Sequence, residues 1–198
     1  MDVFAQALLI GLAVAAPVGP MALIVIERTL ARGQAAGLAF GLGVAAADAS
    51  YAALAAIGVS AVRELLVAAS RPLAIAGGLL MLYFGLRIAL AKPALPVPGA
   101  GTNSNRSAFL AAFGLTLANP PTIVFFAGVF ATLGNGAVLG KPLVFALGVL
   151  LGSALWWVLL TGALRALGRF LDERWRRAIN IVCGLAVALF ALRSLVGG

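Results

Sequence analysis

The chain has 198 residues, 63% of them hydrophobic and only 10% charged, with a mean hydropathy of +1.12 and a net charge of +8. A water-soluble chain is nearer half apolar and a quarter charged, and one core of this size cannot hide the surplus, so lipid is the solvent expected for most of it. There is no histidine, and Cys183 is the one cysteine, which excludes an internal disulfide and a His/Cys metal site and leaves no metal or cofactor expected.

The first apolar segment runs from about Val3 to Ile26 and is interrupted by Pro17 and Pro20. Met1-Asp2-Val3 lacks a basic leader region, and the stretch after it is too long for a signal peptide, so no cleaved leader is expected. The second segment covers about 33–60 and contains Asp48; the third covers about 72–91. A loop rich in Pro, Gly, Ser and Asn follows at 92–107. The fourth segment, about 108–133, carries Asn119-Pro120-Pro121; the fifth and sixth cover about 142–164 and 178–196. Each is long enough to cross about 30 Å of hydrocarbon as a helix.

An internal repeat underlies these segments. Phe40-Gly41-Leu42-Gly43-Val44 resembles Phe145-Ala146-Leu147-Gly148-Val149, a register that puts Asp48 on Ser153 and Tyr51 on Trp156. The stretch from Arg71 to Arg87 matches Arg177 to Arg193 at nearly the same offset, and Pro20 falls on Pro121 at a similar one. The predicted architecture is an all-α integral membrane protein with six transmembrane helices in two inverted-topology repeats of three. Residues 1–91 form the first repeat, 92–107 a cytoplasmic linker and 108–198 the second repeat. Of 14 Lys and Arg, ten fall in the loops after segments one, three and five: Arg28, Arg32, Arg87, Lys92, Arg106, Arg165, Arg169, Arg174, Arg176 and Arg177. Arg63, Arg71, Lys141 and Arg193 fall on the other side. This bias puts the first side in the cytoplasm and both termini outside. The positive balance is thus a topology signal, and no nucleic-acid partner is expected.

Pro17 and Pro20 free the carbonyls of Ala13 and Ala16, and Pro120 and Pro121 free those of Thr116 and Leu117. In lipid, such groups need another partner. Matching breaks in both halves point to a substrate site between them, where half-helix N-termini favour an anionic group. A plain kink is the alternative for the first break taken alone. Thr116 and Thr122 either bind substrate or satisfy freed backbone on their own helix. Asp48 is the one acidic residue deep in an apolar segment, about 22 Å along its helix from Gly33 at 1.5 Å per residue. Intramembrane carboxylates are costly and usually face a cavity, so Asp48 is read as a proton carrier or ammonium partner. The structural alternative is a hydrogen bond to Ser153 that joins helices.

Gly33, Gly37 and Gly41, with Gly148 and Gly152, form small faces suited to close packing within one chain or in a homodimer. Tyr51, Trp156 and Trp157 are read first as packing residues and second as cavity lining. The stretch Arg165–Arg177 predicts a short surface helix, with Arg169 paired to Glu173 and Asp172 to Arg176. Glu27, beside Arg28, is read as a solvated loop charge, with a gate pair as the alternative. Paired carboxylates and a nucleophile with a base are both missing, so an enzyme is not expected.

Pro17-Val18-Gly19-Pro20, the turn from Arg28 to Gly33, the Gly37/Gly41/Gly43 helix with Asp48, and Asn119-Pro120 together resemble the LysE family of amino-acid exporters. The resemblance covers essentially the whole chain. It implies efflux of amino acids or their derivatives across a bacterial inner membrane, driven by proton exchange. It also implies that Pro17, Gly19, Pro20, Asp48, Asn119 and Pro120 surround the substrate; Thr122 joins them as a substrate-binding candidate from the residue pattern alone. Val18 widens the Pro-Gly-Pro found in many members, and Pro121 stands where a basic residue is frequent. A carrier or channel for another solute remains the alternative.

Overall fold

The computed structural model describes residues 2–17, 19–57, 70–90, 102–133, 141–168 and 170–196. All regular structure among these is helical. The elements are α1 (Val3–Ala15), α2 (Pro20–Arg32), α3 (Gln34–Ile57), α4 (Ser70–Leu90), α5 (Thr102–Leu117), α6 (Pro120–Leu133), α7 (Pro142–Gly168) and α8 (Glu173–Val196). Three of them, α2, α6 and α7, begin on a proline, where the missing N–H costs nothing and the fixed φ favours a helix. Gly33, with φ +91, separates α2 from α3 in a conformation that side-chain-bearing residues rarely adopt.

The first apolar segment is a broken helix. α1 and α2 meet at 77° across the Pro17–Gly19 break. The fourth segment is divided likewise into α5 and α6 at Ala118–Asn119. Among the described residues, α3, α7 and α8 are long and apolar enough to cross a membrane, and α1 with α2 makes a fourth span if the bent pair is counted as one. The third segment contributes a shorter apolar helix, Gly78–Leu90. The expected loop at 92–107 is shorter than its composition suggests, since α5 begins at Thr102; residues 91–101 lie outside the described set.

The expected surface helix between segments five and six is not there as a separate element. α7 continues to Gly168 and α8 starts at Glu173, so the basic stretch is divided between two long helix ends. Asp172 caps α8 by accepting the Trp175 N–H at 2.9 Å. Arg169 and the Arg176 side chain, on which the expected ion pairs depend, lie outside the described set.

Packing is set by glycines. A Cβ on Gly148 would meet the Phe4 carbonyl and Ala7, and one on Gly152 would meet Leu8, so α1 lies against α7 and runs parallel to it. A Cβ on Gly43 would meet the Phe109 carbonyl and Ala112, which sets α5 against α3 in the same manner. Gly41 seats Trp157, and Gly37 seats Thr29. These small faces are therefore used within the chain. Gly85 and Gly184, which the spacing argument overlooked, bring the backbones of α4 and α8 together antiparallel. Phe40, Met81, Trp157 and Val187 fill the central core, and Tyr51, Phe126 and Phe145 fill a second cluster.

The outer surface is apolar. Leu143, Leu147, Leu151 and Leu155 make an exposed stripe four residues apart along α7, and Val182, Leu185, Leu189 and Leu192 make another on α8. Stripes of this length mark a surface that meets hydrocarbon. At one end the basic residues converge. Arg28 has Glu27, Arg32 and Arg87 as charged neighbours, and its guanidinium stands 5.0 Å from the Phe40 ring centre and 5.9 Å from that of Phe84. Arg165 donates to the Gln34 side-chain carbonyl at 3.1 Å. Glu27 is only 7% exposed, which corrects its reading as a solvated loop charge. The C-terminal half of α2 packs against both α3 and α8, with Cys183 of α8 close to Glu27.

Candidate functional site

The two breaks open onto one cavity of about 220 Å³. Pro17, Gly19 and Pro20 line it from the first break, Asn119 and Thr122 from the second, and Asp48 from α3. Pro120 is the first residue of α6, and its side chain lies outside the described set. Pro121 lines the cavity as well.

Prolines shape the hydrogen bonding on both sides. At the first break, Pro20 opens α2, and the Gly19 carbonyl accepts the first ladder bond from the Leu23 N–H at 3.1 Å. The N–H groups of Met21 and Ala22 therefore have no acceptor in the ladder of α2. At the second break, the Asn119 carbonyl accepts the Ile123 N–H at 3.1 Å, and both Pro120 and Pro121 lack a donor. Thr122 alone contributes a free first-turn N–H there. The carbonyls that Pro120 and Pro121 release are not left empty. Leu117 O accepts the Tyr51 hydroxyl at 2.6 Å, and Thr116 O accepts the Asn119 N–H at 3.1 Å.

Asp48 is 1% exposed and held by a relay of donors. The Ser153 hydroxyl donates to Asp48 Oδ2 at 2.8 Å, and the Trp157 indole N–H donates to Ser153 Oγ at 3.2 Å. The structural alternative raised for Asp48 is thus present, and the same carboxylate also lines the cavity. Thr116 does not back-bond to its own helix. Asn119 Nδ2 donates to Thr122 Oγ1 at 2.9 Å, while Thr116 Oγ1 is buried without a partner. Asn119 Oδ1 is likewise buried and unpartnered.

Three aromatic residues complete the lining: Phe125, Trp157 and Phe190. Phe125 lies one turn beyond Thr122, so the helical period of α6 was a usable signal for it. Phe190 stands in an apolar run of α8 that has no such mark. Tyr51 serves the Leu117 carbonyl, and the buried Trp156 indole N–H has no partner. The cavity therefore pairs an apolar, aromatic wall with a few fixed polar groups, the common composition of a small-molecule site.

The model of the LysE type translocator family matches residues 12–198. The chain belongs to that family. This translocator is 24% identical over 198 residues, covering 96% of this chain and 93% of the other, to a Bacillus subtilis (strain 168) protein named "Putative amino acid efflux protein YcgF". It is 29% identical over 186 residues, 88% of this chain and 81% of the other, to the Escherichia coli (strain K12) "Uncharacterized membrane protein YahN". No solved structure matches it. Membership makes the protein a membrane transporter.

Proposed function

We propose that this translocator exports an amino acid or amino-acid derivative across the inner membrane, in exchange for protons and by alternating access. One observation carries the reading: both proline breaks and the carboxylate of Asp48 meet in a single cavity. The name of the Bacillus subtilis relative supports the solute class. Substrate enters from the cytoplasm and binds at Pro17, Gly19, Pro20, Asn119, Pro120 and Thr122, where half-helix ends offer fixed dipoles. A proton from outside neutralises Asp48, and release of substrate and reset follow.

Six spans in two inverted halves, 1–91 and 108–198, suit this mechanism. Support comes from reciprocal packing. The set Phe4, Ala7 and Gly148 has its counterpart in Phe109, Ala112 and Gly43, with every position displaced by 105 residues. Helices that would be equivalent, α3 with α7 and α4 with α8, run antiparallel, as inversion requires. The Lys and Arg bias supports an orientation with both termini outside.

The test is efflux from proteoliposomes loaded with labelled amino acids. Imposing a proton gradient opposite to the efflux accelerates it, and a protonophore or Asp48→Asn removes the acceleration. Efflux that ignores both would refute proton exchange.

A further inference from the structure

The two helix breaks are not chemically alike. Pro20 removes one donor from the first turn of α2 and leaves the N–H groups of Met21 and Ala22, both residues lining the cavity. Pro120 and Pro121 remove two from α6. The α2 side is therefore rich in donors. The α6 side is rich in acceptors, but most of them are already engaged. Leu117 O holds the Tyr51 hydroxyl, Thr116 O holds the Asn119 N–H, and Thr122 Oγ1 holds the Asn119 amide. Thr116 Oγ1 and Asn119 Oδ1 are unpartnered, and of the two residues Asn119, 5% exposed, is the one described as lining the cavity. A buried acceptor left unmet is costly, so the site is complete only when a donor arrives.

We propose that the cavity is built for a small zwitterion of zero net charge, with its carboxylate on the N–H groups of Met21 and Ala22 and its ammonium on Asn119 Oδ1. This rests on the amino-acid reading above and narrows it. At about 220 Å³ the cavity lies below the roughly 300–1,000 Å³ usual for drug-sized ligands. Among the described residues, Asp48 is the one charged side chain lining it. No cation among the described lining residues competes for the substrate carboxylate, which leaves that group to the α2 N–H donors. Proton exchange reserves the Asp48 carboxylate, so a second ammonium on the substrate has no carboxylate of its own to meet, and burying an unpaired charge is expensive. Assigning the ammonium to Asn119 leaves Asp48 free for its proton.

The experiment is ligand binding to the purified full-length protein, read by thermal shift and by the fluorescence of Trp157 at the cavity wall. The ligands are L-alanine, L-serine, L-threonine, L-leucine, L-glutamate and L-lysine, with propionate and ethylamine as one-charge analogues. The small neutral zwitterions bind, and L-lysine and both analogues bind at least about tenfold more weakly. Asn119→Leu loses that preference for the zwitterion over propionate, whereas Asn119→Asp, which keeps an acceptor, retains ammonium recognition. Tighter binding of L-lysine than of L-alanine, or an unchanged preference in Asn119→Leu, overturns this assignment and leaves the amino-acid reading standing. Binding of no amino acid in the panel removes both.

Discussion

Asp48 and Ser153 stand 105 residues apart in the chain and share a hydrogen bond of 2.8 Å. They occupy matching positions in the two halves of the sequence, and each is a buried polar residue of an apolar helix. The bond joins α3 to α7 at the level of the cavity, and Trp157 extends it by donating to Ser153. Structure and transport are therefore separable at this pair. Asp48→Asn keeps an oxygen that accepts from Ser153, so its thermal unfolding in detergent stays within about 1 kcal/mol of the parent. Its proton-driven efflux falls by about 100-fold or more, the lower range for loss of a positioned proton-transfer group. Ser153→Ala behaves in the opposite way. It strips a donor from Asp48 and an acceptor from Trp157, and destabilises by about 1–3 kcal/mol.

A second prediction concerns the tie between Tyr51 and the carbonyl of Leu117. Pro121 leaves that carbonyl without a ladder donor, and hydrocarbon supplies none. Tyr51→Phe keeps the ring and its stacking on Phe126, whose centre is 5.4 Å away, and removes only the donor. The expected loss is about 1–3 kcal/mol in unfolding. Tyr51→Trp retains a donor but not its position, and does not restore the loss. A Tyr51→Phe protein as stable as the parent would show that the carbonyl finds water at the break.

The glycine contacts give a prediction with its own control. Gly43→Ala and Gly148→Ala drive a methyl into the backbone of α5 and α1 respectively, at reciprocal places. Each is expected to destabilise by about 1–3 kcal/mol, the usual cost of overpacking. Gly114→Ala, on α5, meets nothing within 4 Å and is expected to be neutral or slightly stabilising. Unfolding midpoints of the three variants in one detergent check this. Similar midpoints for all three would mean that α1 and α5 are not held closely at Gly148 and Gly43.

How far the sequence carried this reading differs from feature to feature. The breaks were legible because proline states its consequence in its own covalent structure: no N–H and a fixed φ. The meeting of Asp48 with Ser153 was legible because a repeat register places equivalent residues together. The faces of the helices were not. In a membrane chain both the buried and the lipid-facing side are apolar, so periodicity does not mark the inside. Phe190 lines the cavity and Leu189 faces outward, 69% exposed, with nothing in composition to distinguish them. The connector at Arg165–Arg177 was misread for a related reason. Charge marks where a segment leaves hydrocarbon, but backbone hydrogen bonding continues past that point, and α7 runs on to Gly168. Glu27 was misread because adjacency to arginines in sequence does not reveal that the packing around α2 buries it.

The last prediction tests orientation and uses the cysteine content directly. Cys183 is the one cysteine in the sequence and is buried, so the parent gives little signal with a membrane-impermeant maleimide. Single added cysteines then report their own side of the membrane. Arg32→Cys and Arg165→Cys replace exposed residues at the end where basic side chains gather, and Lys141→Cys replaces an exposed residue just before α7. α7 has 27 residues, about 40 Å at 1.5 Å per residue, which exceeds the hydrocarbon thickness. Lys141 and Arg165 must therefore lie on opposite sides if α7 spans. In intact cells Lys141→Cys is labelled from outside, whereas Arg32→Cys and Arg165→Cys are labelled only after the membrane is opened. The pattern reversed would invert the topology and place both termini in the cytoplasm. Labelling of Lys141→Cys and Arg165→Cys from the same side would deny α7 a full crossing and with it the inverted arrangement of the two halves.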